Sequence, residues 1–74
     1  MSRPVKRSFA IKGHRTSISL EAPFWDALKD AAKEDGIPLA TLVAGIDGQR
    51  GQSGLSSAVR IWLLDRYRKR GSGE

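Results

Sequence analysis

The sequence predicts a mainly α-helical domain with one short strand, completed by a second copy of itself. Three observations carry this. Arg15-Thr16-Ser17-Ile18-Ser19-Leu20 is the one clear period-2 run in the chain. Everything apolar after it recurs at helical spacing. With 74 residues and no cysteine, the chain has a small core and no disulfide or thiolate metal site to reinforce it. A lone strand cannot satisfy its own N–H and C=O groups, so the simplest partner is the same strand of another copy, paired antiparallel about a two-fold axis. Thr16, Ile18 and Leu20 then face the helices, and Arg15, Ser17 and Ser19 face outward.

Taken in order, residues 1–7 read as a flexible basic arm containing Pro4 and no periodicity. Ser8-Phe9-Ala10-Ile11 alternates briefly, and Lys12-Gly13 could turn it back on the main strand as a hairpin. Lys-Gly is a poor type I′ pair beside Asn-Gly, so an extended arm is the favoured reading. The strand spans 15–20. A helix over about 22–35 follows, with Pro23 in its first turn and Phe24, Trp25, Leu28, Ala31 and Ala32 on one face. Gly36 stops it. Pro38 opens a second helix, about 38–47, with Leu39, Leu42, Val43 and Ile46 as its buried stripe. Gly48 to Gly54 has three further residue types and three glycines, and reads as a loop carrying Arg50. The last helix, about 55–69, starts at Leu55 with Ser56 or Ser57 as cap. Val59, Ile61, Trp62, Leu63, Leu64 and Tyr67 cover more than one of its faces, which suits contact with two partners. Trp62 fits either an interface anchor or an ordinary core position. Residues 71–74 read as a flexible tail.

Net charge is +5, distributed as +5 over residues 1–20, −4 over 21–49 and +4 over 50–74. A polyanion-binding surface would gather the two basic segments and turn the acidic middle away. Arg66, Arg68, Lys69 and Arg70 are sufficiently explained by the negative end of the last helix. No nucleophile–base pair, paired buried carboxylates or metal-ligand cluster is visible, and the Gly48–Gly54 loop lacks the lysine of a phosphate-binding loop. The expectation is a protein without enzymatic activity, cofactor or metal. No run of residues is long and apolar enough to span a bilayer, so a cytoplasmic address is expected.

The basic-x-hydroxyl-aliphatic-hydroxyl-aliphatic pattern of residues 15–20, the helix containing Phe24-Trp25-Asp26-Ala27-Leu28, its Gly36 stop and the closing Gly54-Leu55-Ser56-Ser57-Ala58-Val59-Arg60 together resemble the ribbon-helix-helix family of dimeric DNA-binding proteins. The resemblance covers roughly residues 7–70. It implies an intertwined homodimer whose intermolecular two-stranded antiparallel ribbon enters the major groove of double-stranded DNA. Carried over, Arg15, Ser17 and Ser19 would contact bases, while Arg7, Lys12, His14, Ser56 and Ser57 would contact phosphates. Ile18, Leu20, Trp25, Leu28, Val59, Trp62 and Leu63 would form the dimer core. The family has one helix after the first, and this chain offers two starts, near Pro38 and near Ser56. Proline lacks a donor for phosphate, so the Ser56 start is the better anchor. A transcriptional regulator is the first functional expectation. A protein-interaction module, or an antitoxin-like protein with a partner, is the alternative on the same fold.

Overall fold

The computed structural model describes residues 3–50 and 54–71. The chain runs β1 (Val5–Ile11), β2 (His14–Leu20), α1 (Ala22–Asp35), α2 (Leu39–Gln49) and α3 (Leu55–Gly71). The strands form an antiparallel hairpin in which Ile11 faces His14 beside the turn and Val5 faces Leu20 at the far end. Lys12 and Gly13 both take positive φ, 52° and 80°. That pair of conformations defines the type I′ turn, whose twist matches that of the flanking strands.

Two expectations are corrected here. The chain has two strands rather than one, and β1 pairs antiparallel with one edge of β2. Val5, Lys6 and Arg7, expected in a flexible arm, belong to β1. The reason lies outside the turn. Lys12 in the left-handed region costs about 1–2 kcal/mol, and Trp25 of α1 supplies contacts that offset it. The indole N–H donates to the Val5 carbonyl at 2.8 Å. Its ring stacks on Phe9 with centroids 6.0 Å apart, and the Arg7 guanidinium lies 5.3 Å from the ring centre. One aromatic side chain thus holds β1 from three directions.

The helices follow their sequence signals closely. Glu21 is the N-cap of α1 in extended conformation, and its carbonyl accepts from the Phe24 and Trp25 N–H groups at 2.9 and 3.2 Å. At the other end Gly36 turns left-handed, φ 69°. Its N–H reaches the Lys33 carbonyl, and the Ile37 N–H reaches that of Ala32. This is the reciprocal Schellman closure. α2 runs two residues past its expected end, because Gly48 and Gln49 remain helical and Arg50 closes the last turn through its N–H to the Asp47 carbonyl and Nε to Asp47 Oδ1, the latter 2.7 Å. The remainder of the expected loop, residues 51–53, and most of the expected tail, 72–74, lie outside the described residues.

One layer of helices covers the inner face of the hairpin. Ile11, Ile18 and Leu20 meet Trp25, Leu28 and Ala31 of α1, Val43 and Ile46 of α2, and Val59 and Leu63 of α3 in a single buried cluster. Six of the residues expected at a subunit core (Ile18, Leu20, Trp25, Leu28, Val59 and Leu63) are therefore buried within one chain, while Trp62 is half-buried. The turn offers a direct check. Lys12→Asn, which tolerates positive φ, should raise stability by a few tenths to about 1 kcal/mol, and Gly13→Ala should lower it by more than that. Thermal unfolding of the two variants measures both.

Candidate nucleic-acid interface

The hairpin presents one face to the helices and one to solvent. Lys6, Ser8 and Ala10 of β1 and Arg15 and Ser17 of β2 all lie on the outer face and are exposed, and Ser19 at its end is half-buried. The register sets Lys6 opposite Ser19, Ser8 opposite Ser17 and Ala10 opposite Arg15. The hydroxyls of Ser8 and Ser17 approach to 3.4 Å across the ribbon. None of the described residues on this face is an acid. Neither Lys6 nor Arg15 has an ion pair among the described residues. Arg15, Ser17 and Ser19 thus share one face as the alternation of residues 15–20 requires. Lys6 and Ser8 were missed, because β1 was read as an arm. Their signal was the alternation of residues 6–11, and it lay hidden behind a turn dipeptide that looked unsuitable.

The open edge of β2 is closed at one end. In a hairpin with a two-residue turn the pair beside the turn is hydrogen-bonded, and bonded and non-bonded pairs alternate from there. Arg15, Ser17 and Ser19 therefore aim their main-chain groups away from β1. The Ser19 N–H donates to Ser56 Oγ at 3.1 Å, and the Ser19 carbonyl accepts from Arg60 Nη2 at 3.2 Å. Arg60 also donates to Glu21 Oε1 through Nε and Nη2, at 3.3 and 3.1 Å, and its guanidinium lies over Phe24. The start of α3 is held against the end of the ribbon by a hydroxyl and a guanidinium. Arg60 had no assigned role in the sequence, since nothing in its spacing pairs it with residues about forty positions away.

The remaining predicted contacts separate. Ser56 turns its hydroxyl to the strand edge, so at this helix start Ser57 is the exposed hydroxyl. Lys12 sits exposed at the hairpin tip, beside exposed His14. Arg7 lies opposite Ile18, on the inner side of the ribbon, with its guanidinium over Trp25. A cation stacked there does not share the outer face with Arg15. Pro38 caps α2 without a side-chain hydrogen bond.

A family model described as a ribbon-helix-helix domain matches residues 4–67, nearly the whole chain. The chain belongs to the ribbon-helix-helix family. No curated protein and no solved structure matches it. In this ribbon-helix-helix chain a two-stranded antiparallel hairpin is followed by three helices.

A second ionic cluster ties the later turns of α3 to the end of α1. Arg66 donates to Glu34 Oε1 and to both oxygens of Asp35, all between 3.0 and 3.2 Å, and Arg70 reaches Glu34. Hydrogen bonds from Arg66 hold the Glu34 and Asp35 carboxyls below their usual range, with Arg70 adding to the effect on Glu34. Glu21 is lowered too, first by a hydrogen bond from its own backbone and then by Arg60. These shifts have a definite sign. The folded carboxyls release their protons at lower pH than the unfolded ones, so their contribution is complete above an unfolded pKa of about 4 and disappears as pH falls through the folded values. Arg66→Gln should therefore flatten the acid side of the stability profile, read as melting temperature between about pH 5 and pH 2. A limb as steep as that of the parent protein would count against this assignment.

Proposed function

We propose that the protein is a sequence-specific DNA-binding protein, a homodimeric transcriptional regulator that lays the outer face of its ribbon in the major groove. The observation supporting this is the chemistry of that face: Lys6 and Arg15, with no ion pair among the described residues, flank the Ser8 and Ser17 hydroxyls, and none of the described residues of the face is an acid. A two-stranded ribbon is one of the few elements the groove admits. Arginine can hold a guanine edge bidentately, and serine can bond to either kind of edge. Lys12 and His14 at the hairpin tip, together with the exposed Ser57 at the start of α3, suit the flanking phosphates. We read the protein as a binder without catalytic activity or cofactor, working in the cytoplasm.

Association of two copies is part of this reading. Ile61, Leu64 and Tyr67 of α3 remain 56%, 57% and 42% exposed, more apolar surface than a solvated helix needs. The free edge of β2 at Arg15 and Ser17 offers a second route. Pairing that extended to Ser19 would have to displace Ser56 and Arg60. The same apolar surface supports the second reading, a protein-interaction module or antitoxin-like protein, through a shallow groove between α1 and α3 lined by Pro23, Phe24, Ala27, Leu63, Leu64 and Tyr67. Salt dependence separates the two classes. A DNA binder should lose affinity steeply between about 50 and 200 mM salt as counterions are released, whereas an apolar docking surface should not. Arg15→Ala should cost about 1–3 kcal/mol on the preferred duplex and much less on a random one. Weak and equal affinities for both duplexes, indifferent to salt, would exclude DNA recognition.

A further inference from the structure

We propose that Arg60 and Ser56 are positioning residues for DNA binding. They hold the start of α3 to Ser19, and so set where the Ser57 hydroxyl stands relative to the outer face of β2, without contacting DNA themselves. This rests on the DNA-binding reading above and adds to it two residues that act through others.

The attachment of α3 has the geometry such a role needs. Both main-chain groups of Ser19 are taken by this helix, the N–H by Ser56 Oγ at 3.1 Å and the carbonyl by Arg60 Nη2 at 3.2 Å. Positions 56 and 60 stand one helical turn apart on the same face, about 5–6 Å from each other. One bond would leave α3 free to pivot about Ser19. Two bonds, a turn apart on the helix and meeting one residue of the strand, fix both the rotation of the helix and its place along β2. Ser57 follows Ser56 directly and is exposed. The hydroxyl offered to a phosphate is thus one residue away from the hydroxyl bonded to the strand.

Arg60 is itself held from further sides. Its Nε and Nη2 donate to Glu21 Oε1, and its guanidinium lies 5.7 Å from the centre of the Phe24 ring. Glu21 is the N-cap of α1. The end of β2, the start of α1 and the first turns of α3 therefore meet at a single guanidinium. The cluster contributes direction more than stability. The Arg60 and Glu21 side chains remain 33% and 32% exposed, and an ion pair that open to water adds little to folding. The buried Leu20, Leu55 and Val59 already hold α3 in the core. Apolar packing is non-directional, however, whereas hydrogen bonds weaken steeply with angle. A phosphate contact fixes register on the duplex, and a binding group serves only when its supports hold it to within about 0.5 Å.

The test measures affinity of the full chain and its variants for the preferred duplex between about 50 and 200 mM salt. Arg60→Met keeps an apolar stem beside Phe24 and removes the bonds to Ser19 and Glu21. It should weaken binding roughly 10- to 100-fold, the worth of one hydrogen bond to a charged group. The slope of affinity against salt should stay that of the parent, because no cation that neutralises a phosphate is lost. Combined with Ser57→Ala, it should cost no more than the larger single change, since the two act through one contact. Ser56→Ala should weaken binding in the same way and Ser56→Thr, which keeps the hydroxyl, should restore it; this pair carries the comparison if Arg60→Met does not fold. Lys29→Gln, which removes an exposed charge from α1, should leave affinity unchanged. A slope lower by about one for Arg60→Met would make Arg60 a direct phosphate ligand and overturn the inference. Additive losses with Ser57→Ala, or parental affinity in both Arg60→Met and Ser56→Ala, would overturn it too, while DNA recognition stands. A parent chain with no preference among duplexes removes both.

Discussion

A strand has two edges, and the main-chain groups on each need partners. That requirement governs the architecture of this protein. β1 satisfies one edge of β2 along its whole length. On the other edge α3 reaches back over nearly forty residues to satisfy Ser19 with Ser56 and Arg60. These bonds set where α3 begins relative to the ribbon. The Arg66 and Arg70 contacts with Glu34 and Asp35 then fix its course along α1. The buried cluster of Ile18, Leu20, Leu28, Val43, Val59 and Leu63 fills the space so enclosed. The outer face of the hairpin keeps no structural task, and its cations and hydroxyls stay available.

Charge is sorted accordingly. The acidic middle of the chain pairs with the last helix at two places, Glu34 and Asp35 with Arg66 and Arg70 toward its end and Glu21 with Arg60 near its start. The terminal basic segment therefore does not join the first to make one continuous basic surface. Arg60, Arg66 and Arg70 of it pair with Glu21, Glu34 and Asp35, and the first twenty residues supply Lys6 and Arg15 of the outer face, which have no ion pair among the described residues. Aromatic rings take part in the same sorting, since Arg7, Arg60, Arg66 and Arg70 each lie over one.

Much of this was legible before any coordinates. Helix α1 has the bounds that Pro23 and Gly36 announce, because a proline start and a left-handed glycine stop are local devices that need no tertiary context. The facing of Arg15 and Ser17 followed from strand alternation, which is equally local. The hairpin was harder. Its turn residues argued against it, and its support comes from Trp25, twenty residues beyond Val5 in sequence, through an indole N–H that no periodicity reveals. The place of Arg7 over Trp25 was hidden for the same reason, since a basic residue before a strand shows nothing of the aromatic ring beneath it. The roles of Ser56 and Arg60 at Ser19 depend on a contact across the whole domain, and side-chain spacing within α3 carries no trace of it.

The two strands of the hairpin are joined by only Lys12 and Gly13, and this has a kinetic consequence. Closing so short a loop is a unimolecular event on the order of microseconds. A ribbon assembled from two molecules would instead form at a rate set by how often they meet. Here both strands lie in one chain, so their pairing does not depend on how often two molecules meet.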